Sequence, residues 1–166
     1  MRDHLGNLYG TASGSGEFGC GTVFKLDQTG EVTELYSFRG DLDGALPYAR
    51  VVLDGRGNLY GVAQSGGSGA SYGTIFKVDT AGNETVLYTF TGGTAGEYPF
   101  AGLVWRDGWL YGTTTGDGAL IYGTVFKADR SGRYKLLHTF MGQPDGAFPI
   151  AVLVRDGIGN LPDWRF

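Results

Sequence analysis

Acidic and aromatic side chains recur together in the glycine-rich segments of this chain, and these residues have the clearest potential for chemistry. The carboxylates and tyrosines in question are Asp41, Asp43, Tyr48, Glu97, Tyr98, Asp117 and Asp145. Carboxylates accept hydrogen bonds from hydroxyl groups, and aromatic rings offer flat apolar surfaces for stacking. This combination predicts a surface that binds a glycan or a protein. The simpler interpretation is a solvated acidic rim whose tyrosines pack at the bases of loops.

The same carboxylates could serve a polysaccharide-acting enzyme as general acid and base. That chemistry needs two carboxyl groups about 5–10 Å apart, a separation that spacing along the chain does not fix. A cysteine nucleophile needs a neighbouring base, and neither His4 nor His138 shares a motif with Cys20. His138 stands where the other repeats have tyrosine, which predicts an aromatic packing role. We therefore expect no catalytic residues, with the polysaccharide-acting enzyme as the alternative.

The spacing of candidate ligands does not indicate a metal or a cofactor. The sequence contains no His-x-x-x-His or clustered His/Cys pattern of the kind that binds zinc. The segment 41–44 begins like a calcium loop but lacks the later glutamate, and Asp-Gly is a common turn pair. The glycine-rich loop 65–69 is not followed by the Gly-Lys-Ser/Thr of a phosphate loop. We predict no metal site and no cofactor.

Charge and hydropathy argue against two classes of partner. The chain has 13 Lys+Arg and 17 Asp+Glu, a net charge of -4, with no basic cluster. Binding to nucleic acid through counterion release needs a positive surface, so a nucleic-acid partner is not expected. The longest aliphatic run, at 151–154, is far shorter than the ~18 residues of a membrane span, so membrane insertion is not expected either.

The elements that must position the candidate residues come from an internal repeat. Four landmarks recur three times in register: Leu-Tyr-Gly at 8–10, 59–61 and 110–112; Gly-Thr-Val/Ile-Phe-Lys at 21–25, 73–77 and 123–127; Leu-Tyr/His-Ser/Thr-Phe at 35–38, 87–90 and 137–140; and proline at 47, 99 and 149. Repetition at a fixed period is the signature of a repeat architecture.

Each repeat contains four short segments rich in β-branched and aromatic residues and bounded by glycine, which is typical of strands. Apolar residues occupy both faces of these strands, as expected for sheets packed between sheets. The sequence therefore predicts an all-β fold, a β-propeller-type array of four-stranded antiparallel blades. We place blade 1 at about 5–55, blade 2 at about 56–106, blade 3 at about 107–157, and a truncated fourth repeat at 158–166.

The loops differ in length in a regular way. The turns between second and third strands are tight Asp-x-x-Gly sequences, whereas the loops at 12–21, 63–73 and 114–123 and those at 39–47, 91–99 and 141–149 are long. In an up-and-down meander these long loops emerge at the same end of the sheets. We call this end the long-loop rim, and all the candidate residues lie on or beside it.

The motifs in register resemble the GloVer tandem repeat of bacterial proteins. The similarity covers residues 5 to about 161 and includes an Asp-Gly pair before the loop proline at 43–44 and 145–146, replaced by Ala95-Gly96 in the middle repeat. The resemblance implies a β-propeller-like array without known catalytic residues. Members of that family are usually longer arrays, often exported or at the cell surface, with a C-terminal anchoring signal. This chain departs from the pattern with three repeats and no recognisable signal or anchor.

Three blades leave an open arc with apolar sheet faces at both ends. Three interpretations follow: two copies close a six-blade ring, the chain is a fragment of a longer array whose pattern breaks after Leu161, or arcs stack head to tail in a filament. The first two are favoured equally over the third. We expect a non-catalytic binding or assembly scaffold that self-associates through its terminal blades.

Overall fold

The computed structural model describes residues 1–67, 71–116 and 122–154, which form three antiparallel sheets. The strands are β1 (Leu8–Ala12), β2 (Thr22–Leu26), β3 (Val32–Ser37), β4 (Val52–Leu53), β5 (Leu59–Ala63), β6 (Thr74–Val78), β7 (Glu84–Thr89), β8 (Val104–Arg106), β9 (Trp109–Thr114), β10 (Thr124–Asp129) and β11 (Tyr134–Thr139). A short 3-10 turn, Gly93–Ala95, lies between β7 and β8. The predicted all-β, propeller-type fold is confirmed. None of the described residues belongs to a helix long and apolar enough to span a membrane.

The sheets are offset by one strand from the sequence repeats. Sheet 1 contains β1–β3, sheet 2 contains β4–β7 and sheet 3 contains β8–β11. Val52 of β4 pairs with Tyr60 of β5, and Val104 of β8 pairs with Tyr111 of β9. The fourth segment of each repeat thus belongs to the sheet that follows, which corrects the expectation that the four strands of one unit form one blade. Each long crossover joins the outer strand of one sheet to the first strand of the next.

The tight turns predicted between the second and third strands of each repeat are present, and they join β2 to β3, β6 to β7 and β10 to β11. Asp27 accepts hydrogen bonds from the N–H groups of Thr29 and Glu31 at 2.8 and 3.0 Å, while Gly30 adopts a φ of 90°. The same arrangement recurs at Asp79 and Asp129. These turns lie at the end opposite the long-loop rim and fix the register of each hairpin.

The core lies between the sheets and is organised around phenylalanine pairs. In sheets 1 and 2, the ring after the outer strand packs edge-to-face on a ring in the next sheet. Phe38 meets Phe76 with centroids 5.0 Å apart, and Phe90 meets Phe126 at 5.3 Å. All four rings are buried. Each sheet is therefore stabilised mainly by contact with its neighbours, as the apolar residues on both strand faces predict.

Candidate functional site

The long loops meet at one end of the sheets, as their lengths predict. Ala45 forms an isolated bridge with Ser65, and Glu97 forms one with Gly116, so each crossover lies along the first loop of the following sheet. The N–H of Gly67 also donates to the Asp41 carbonyl at 2.7 Å. The long-loop rim is therefore one hydrogen-bonded surface that runs across the sheets.

A non-glycine residue in the left-handed conformation precedes the proline of every crossover. These residues are Leu46, Tyr98 and Phe148, with φ of 56°, 54° and 52°. Their N–H groups donate to the carbonyls of Cys20, Tyr72 and Tyr122 at 2.9, 2.9 and 2.8 Å. Such a conformation costs about 1–3 kcal/mol and persists only when its surroundings determine it. The rim is thus held in one shape by the same junction in each repeat.

Asp43, a predicted ligand-binding residue, fastens its own loop. Its carboxylate accepts hydrogen bonds from the Tyr36 hydroxyl at 2.7 Å and from the Arg39 N–H at 2.9 Å. Burial and the bond to Asp43 raise the pKa of the Tyr36 hydroxyl far above its ordinary value. The Asp-Gly pair before the proline therefore ties the outer strand to the start of the crossover.

Asp145 repeats this arrangement at the other end of the rim. Its carboxylate accepts the Met141 N–H at 2.9 Å and lies 2.8 Å from Nε2 of His138. The bond from Met141, followed by the contact with His138, lowers the pKa of Asp145. His138 thus occupies the place that Tyr36 has in the first repeat, and packs edge-on against Phe140 at 5.0 Å. The predicted aromatic contact is present, but the His138 side chain is 49% exposed and also contacts Asp145, so its role is not packing alone.

Glu84, which the sequence analysis did not single out, lies at the start of β7 beside Asp43 at the boundary of sheets 1 and 2. Among the described residues, neither Oδ1 of Asp43 nor Oε1 of Glu84 has a hydrogen-bond partner, although both atoms are buried. Burial, and then the charge of Asp43, raise the pKa of Glu84 to about 7. In sheet 3 the equivalent residue is Tyr134, which stacks on Tyr88 at 4.2 Å. An acid where the other repeats have Val32 and Tyr134 was the available signal in the sequence.

We expect Glu84→Gln to stabilise the protein above pH 7 by about 1–2 kcal/mol, a value reduced for partial exposure to solvent. Because the pKa of Glu84 rises from 4.5 to about 7, the folded state binds more protons than the unfolded state between these values. The stabilising contribution of Glu84 is therefore fully present below pH 4.5 and is lost as the pH rises through 7. Glutamine does not ionise, so the variant escapes this loss.

Urea unfolding of both proteins at about pH 5 and about pH 8 measures the effect, because denaturation midpoints report the free energy of unfolding. Glu34→Gln, at an exposed position of β3, is the matched control and should run parallel to the parent. Parallel stability profiles for Glu84→Gln and the parent would contradict the raised pKa.

Asp41 and Asp43 line one cavity of about 360 Å³ at the sheet 1 end of the rim. Tyr36, Arg39 and Leu42 complete its wall. The guanidinium of Arg39 also lies 5.3 Å from the Phe18 ring centroid. The pocket therefore offers a carboxylate, a cation and a phenol to a polar ligand, and the sequence predicted only its two acids.

Exposed apolar side chains follow the loop prolines. Tyr48 is 49% exposed and stacks on Phe100, which is 37% exposed, with centroids 5.3 Å apart and an interplanar angle of 26°. Ile150 occupies the equivalent position in the third repeat and is also exposed. Sequence analysis selected Tyr48 but missed Phe100, although its place directly after a rim proline was a usable signal. The pair forms a flat aromatic surface on the rim.

Glu97 and Tyr98 lie together on the second crossover. The backbone of Glu97 pairs with Gly116, and the ring of Tyr98 packs edge-on against Tyr72 at 6.0 Å. Asp117 lies outside the described residues. The predicted site residues thus group by loop rather than converge on one point. Across the described ranges, no group of three or more His, Cys, Asp or Glu residues is arranged to hold a metal ion.

Comparison with known proteins adds a family and a fold. The sequence matches the family model of the Gloeobacter/Verrucomicrobia repeat over residues 1–162. No curated protein matches it significantly. Among solved structures, the periplasmic gluconolactonase PpgL of Pseudomonas aeruginosa is similar in fold, with a TM-score of 0.55 and 15% sequence identity, over 92% of this chain and 44% of that chain. The chain thus spans less than half the length of that protein, and the likeness is one of fold alone.

Proposed function

Because the chain belongs to the Gloeobacter/Verrucomicrobia repeat family and its sheets bring their long loops to one rim, we propose that it is a non-catalytic binding scaffold. The rim presents its ligand surface to a glycan or to a protein. A carbohydrate is the ligand that the exposed side chains favour, because flat aromatic rings and carboxylates together suit sugar faces and hydroxyl groups.

The stacked pair of Tyr48 and Phe100 is the observation that carries this proposal. Both rings are more than a third exposed to solvent, so a ligand that covers them would remove a large apolar surface from water. The left-handed junctions that precede the neighbouring prolines hold the crossovers in place. A rim fixed before binding loses little conformational entropy when the ligand arrives.

The bonding of the carboxylates argues against the polysaccharide-acting enzyme. Asp43 and Asp145 each accept a backbone N–H and contact a ring side chain, so both carboxylates hold loops, and the second oxygen of Asp43 is buried. Glu84 has the raised pKa of a proton donor, but its unpartnered oxygen is buried at the boundary between two sheets. A general acid must reach the leaving group in the open site.

Titration calorimetry with a panel of soluble oligosaccharides tests the binding proposal. We expect Tyr48→Ala to weaken binding at least about tenfold, which corresponds to about 1.4 kcal/mol. Trp109→Ala is the control, because that partly exposed aromatic lies in the hairpin at the opposite end of the sheets. If the ligand is a protein, none of the oligosaccharides should give a binding signal. Equal losses for the two variants would count against the rim as the binding surface.

A separate assay distinguishes the enzyme from the scaffold. Release of reducing ends from the same oligosaccharides is measured for the parent, Asp41→Ala and Asp43→Ala. The scaffold predicts no turnover by the parent protein. Turnover by the parent that disappears in either variant, with binding retained, would overturn the non-catalytic proposal and support rim carboxylates as acid and base.

A further inference from the structure

The two ends of the described array expose the surfaces that are buried between its sheets. Phe140 is the repeat equivalent of Phe38 and Phe90, whose rings are covered by rings of the next sheet. At the opposite end, Phe24 is the equivalent of those covering rings. Both Phe24 and Phe140 are only partly buried. The phenylalanine contact that occurs twice inside the array is therefore not formed at its ends. Phe140 is left at one end and Phe24 at the other.

The face of sheet 3 carries a cavity of about 280 Å³ where a following sheet would pack. Its wall is mostly apolar and includes Val125, Phe140, Pro149 and Val152. The same faces of sheets 1 and 2 are covered by the next sheets, whose strands β6 and β10 carry Phe76 and Phe126. The shape that fits this cavity is thus another sheet of the same repeat.

Residues 151–154 lie where the first strand of a following sheet would begin. They correspond in register to the segments that contain β4 and β8, and Leu153 is buried like its equivalents Val51 and Leu103. The equivalents of Val154, Val52 and Val104, pair with Tyr60 and Tyr111, whereas within the described ranges Val154 pairs with no strand and is 64% exposed. A strand edge with free N–H and C=O groups is a template for pairing.

Sheet 1 offers the complementary edge. It has three named strands where sheets 2 and 3 have four. Within the described residues, the edge of β1 that faces away from β2 pairs with a short segment alone: Arg2 bridges to Leu8, and the Tyr9 N–H donates to the Met1 carbonyl at 2.7 Å. Met1 thus sits opposite Tyr9, in the place that Val52 has opposite Tyr60.

We infer that a second copy of this chain occupies this end, with Val154 of one copy pairing with β1 of the other and Phe24 packing on Phe140. The register of sheets 2 and 3 sets Val154 opposite Tyr9 of the second copy, where it displaces Met1. Val32, 62% exposed, then takes the place that Glu84 and Tyr134 have inside the array. The same contact made in both directions closes two arcs of three sheets into one ring.

The interface stands apart from the rim and its ligand. The two faces are complementary in kind, since the same repeat supplies both halves of the internal contact. Burial of two such faces removes from water the apolar surface that each end now exposes.

Light scattering on a sizing column gives the first test. The expected mass is twice the 17.7 kDa of the chain. Val32→Lys and Val154→Asp change exposed positions on the two ends, so both variants should fold and run as monomers. Leu42→Asp, an equally exposed position on the rim, should remain a dimer. A parent protein that is monomeric at all concentrations would overturn the inference.

Crosslinking tests the register. In a Cys20→Ser background, Tyr9→Cys with Val154→Cys places the two sulfurs on directly opposite residues of the new strand pair, where Cα atoms about 5.5 Å apart suit a disulfide. We expect a covalent dimer without larger species under oxidising conditions. A ladder of higher species would indicate an open filament, and an uncrosslinked monomer would indicate a face reserved for a following repeat. Either result would overturn the closed pair.

Discussion

Replacing Phe126 with alanine is expected to lower the free energy of unfolding by about 3–5 kcal/mol. The ring is fully buried and packs edge-to-face on Phe90 of the preceding sheet, 5.3 Å away. It also stacks on Tyr134 of its own sheet at 5.5 Å. The ring lies between sheets 2 and 3, whose backbones are held by hydrogen-bonded ladders. The surrounding residues therefore cannot collapse into the space that the ring leaves. Circular dichroism during urea unfolding gives the measurement.

Phe24→Ala is the matched control for this prediction. Phe24 has the same position in its strand as Phe126, but it is only partly buried at the open end of sheet 1. At low protein concentration we expect the loss to be about 1–2 kcal/mol, because less apolar surface returns to water. If a second copy covers this face, the loss should grow as the protein concentration rises. Equal losses for Phe24→Ala and Phe126→Ala at low concentration would contradict the account of the core.

The strands and tight turns could be predicted because their determinants are local. The pattern around Phe24 repeats with its flanking glycines, and the Asp27 turn needs only a carboxylate and a glycine at fixed offsets. The pairing of β4 with β5 could not be predicted in the same way. The apolar segment of β4 has the same pattern whether it ends one sheet or begins the next, so only the path of the crossover decides between the two.

The rim was predictable as a place, but the roles of its residues were not. Loop lengths alone indicate that the long loops share one end of the sheets. That Asp43 fastens its loop depends on the path of the crossover, which brings the Asp43 carboxylate to the hydroxyl of Tyr36 in the strand before it. The proximity of Glu84 to Asp43 depends on packing between two sheets, which no spacing along the chain reveals. Phe100 joins Tyr48 for the same reason, since the two belong to successive repeats.

Replacing Gly61 with alanine is expected to lower the free energy of unfolding by about 1–3 kcal/mol, even though alanine suits a strand better than glycine. Gly61 pairs with Phe76 across β5 and β6, and a Cβ atom at Gly61 would lie 2.4 Å from Cζ of that ring. The ring cannot move away, because Phe38 packs against it. Gly10 and Gly112 lie in the same way beneath the equivalent rings, Phe24 and Phe126. Space, rather than backbone conformation, is what these positions require.

Two further variants separate this steric effect from a general cost of alanine. Gly55→Ala, in an exposed turn where no atom lies within 4 Å of the new Cβ, should change stability by no more than about 0.5 kcal/mol. Phe76→Leu removes the ring atoms that the new methyl group meets, so the double variant Gly61→Ala/Phe76→Leu should be more stable than the sum of the two single losses implies. Additive losses in urea unfolding would mean that Gly61 and Phe76 do not compete for the same space. The phenylalanine pairs between sheets would then be held by something other than the glycine beneath each ring.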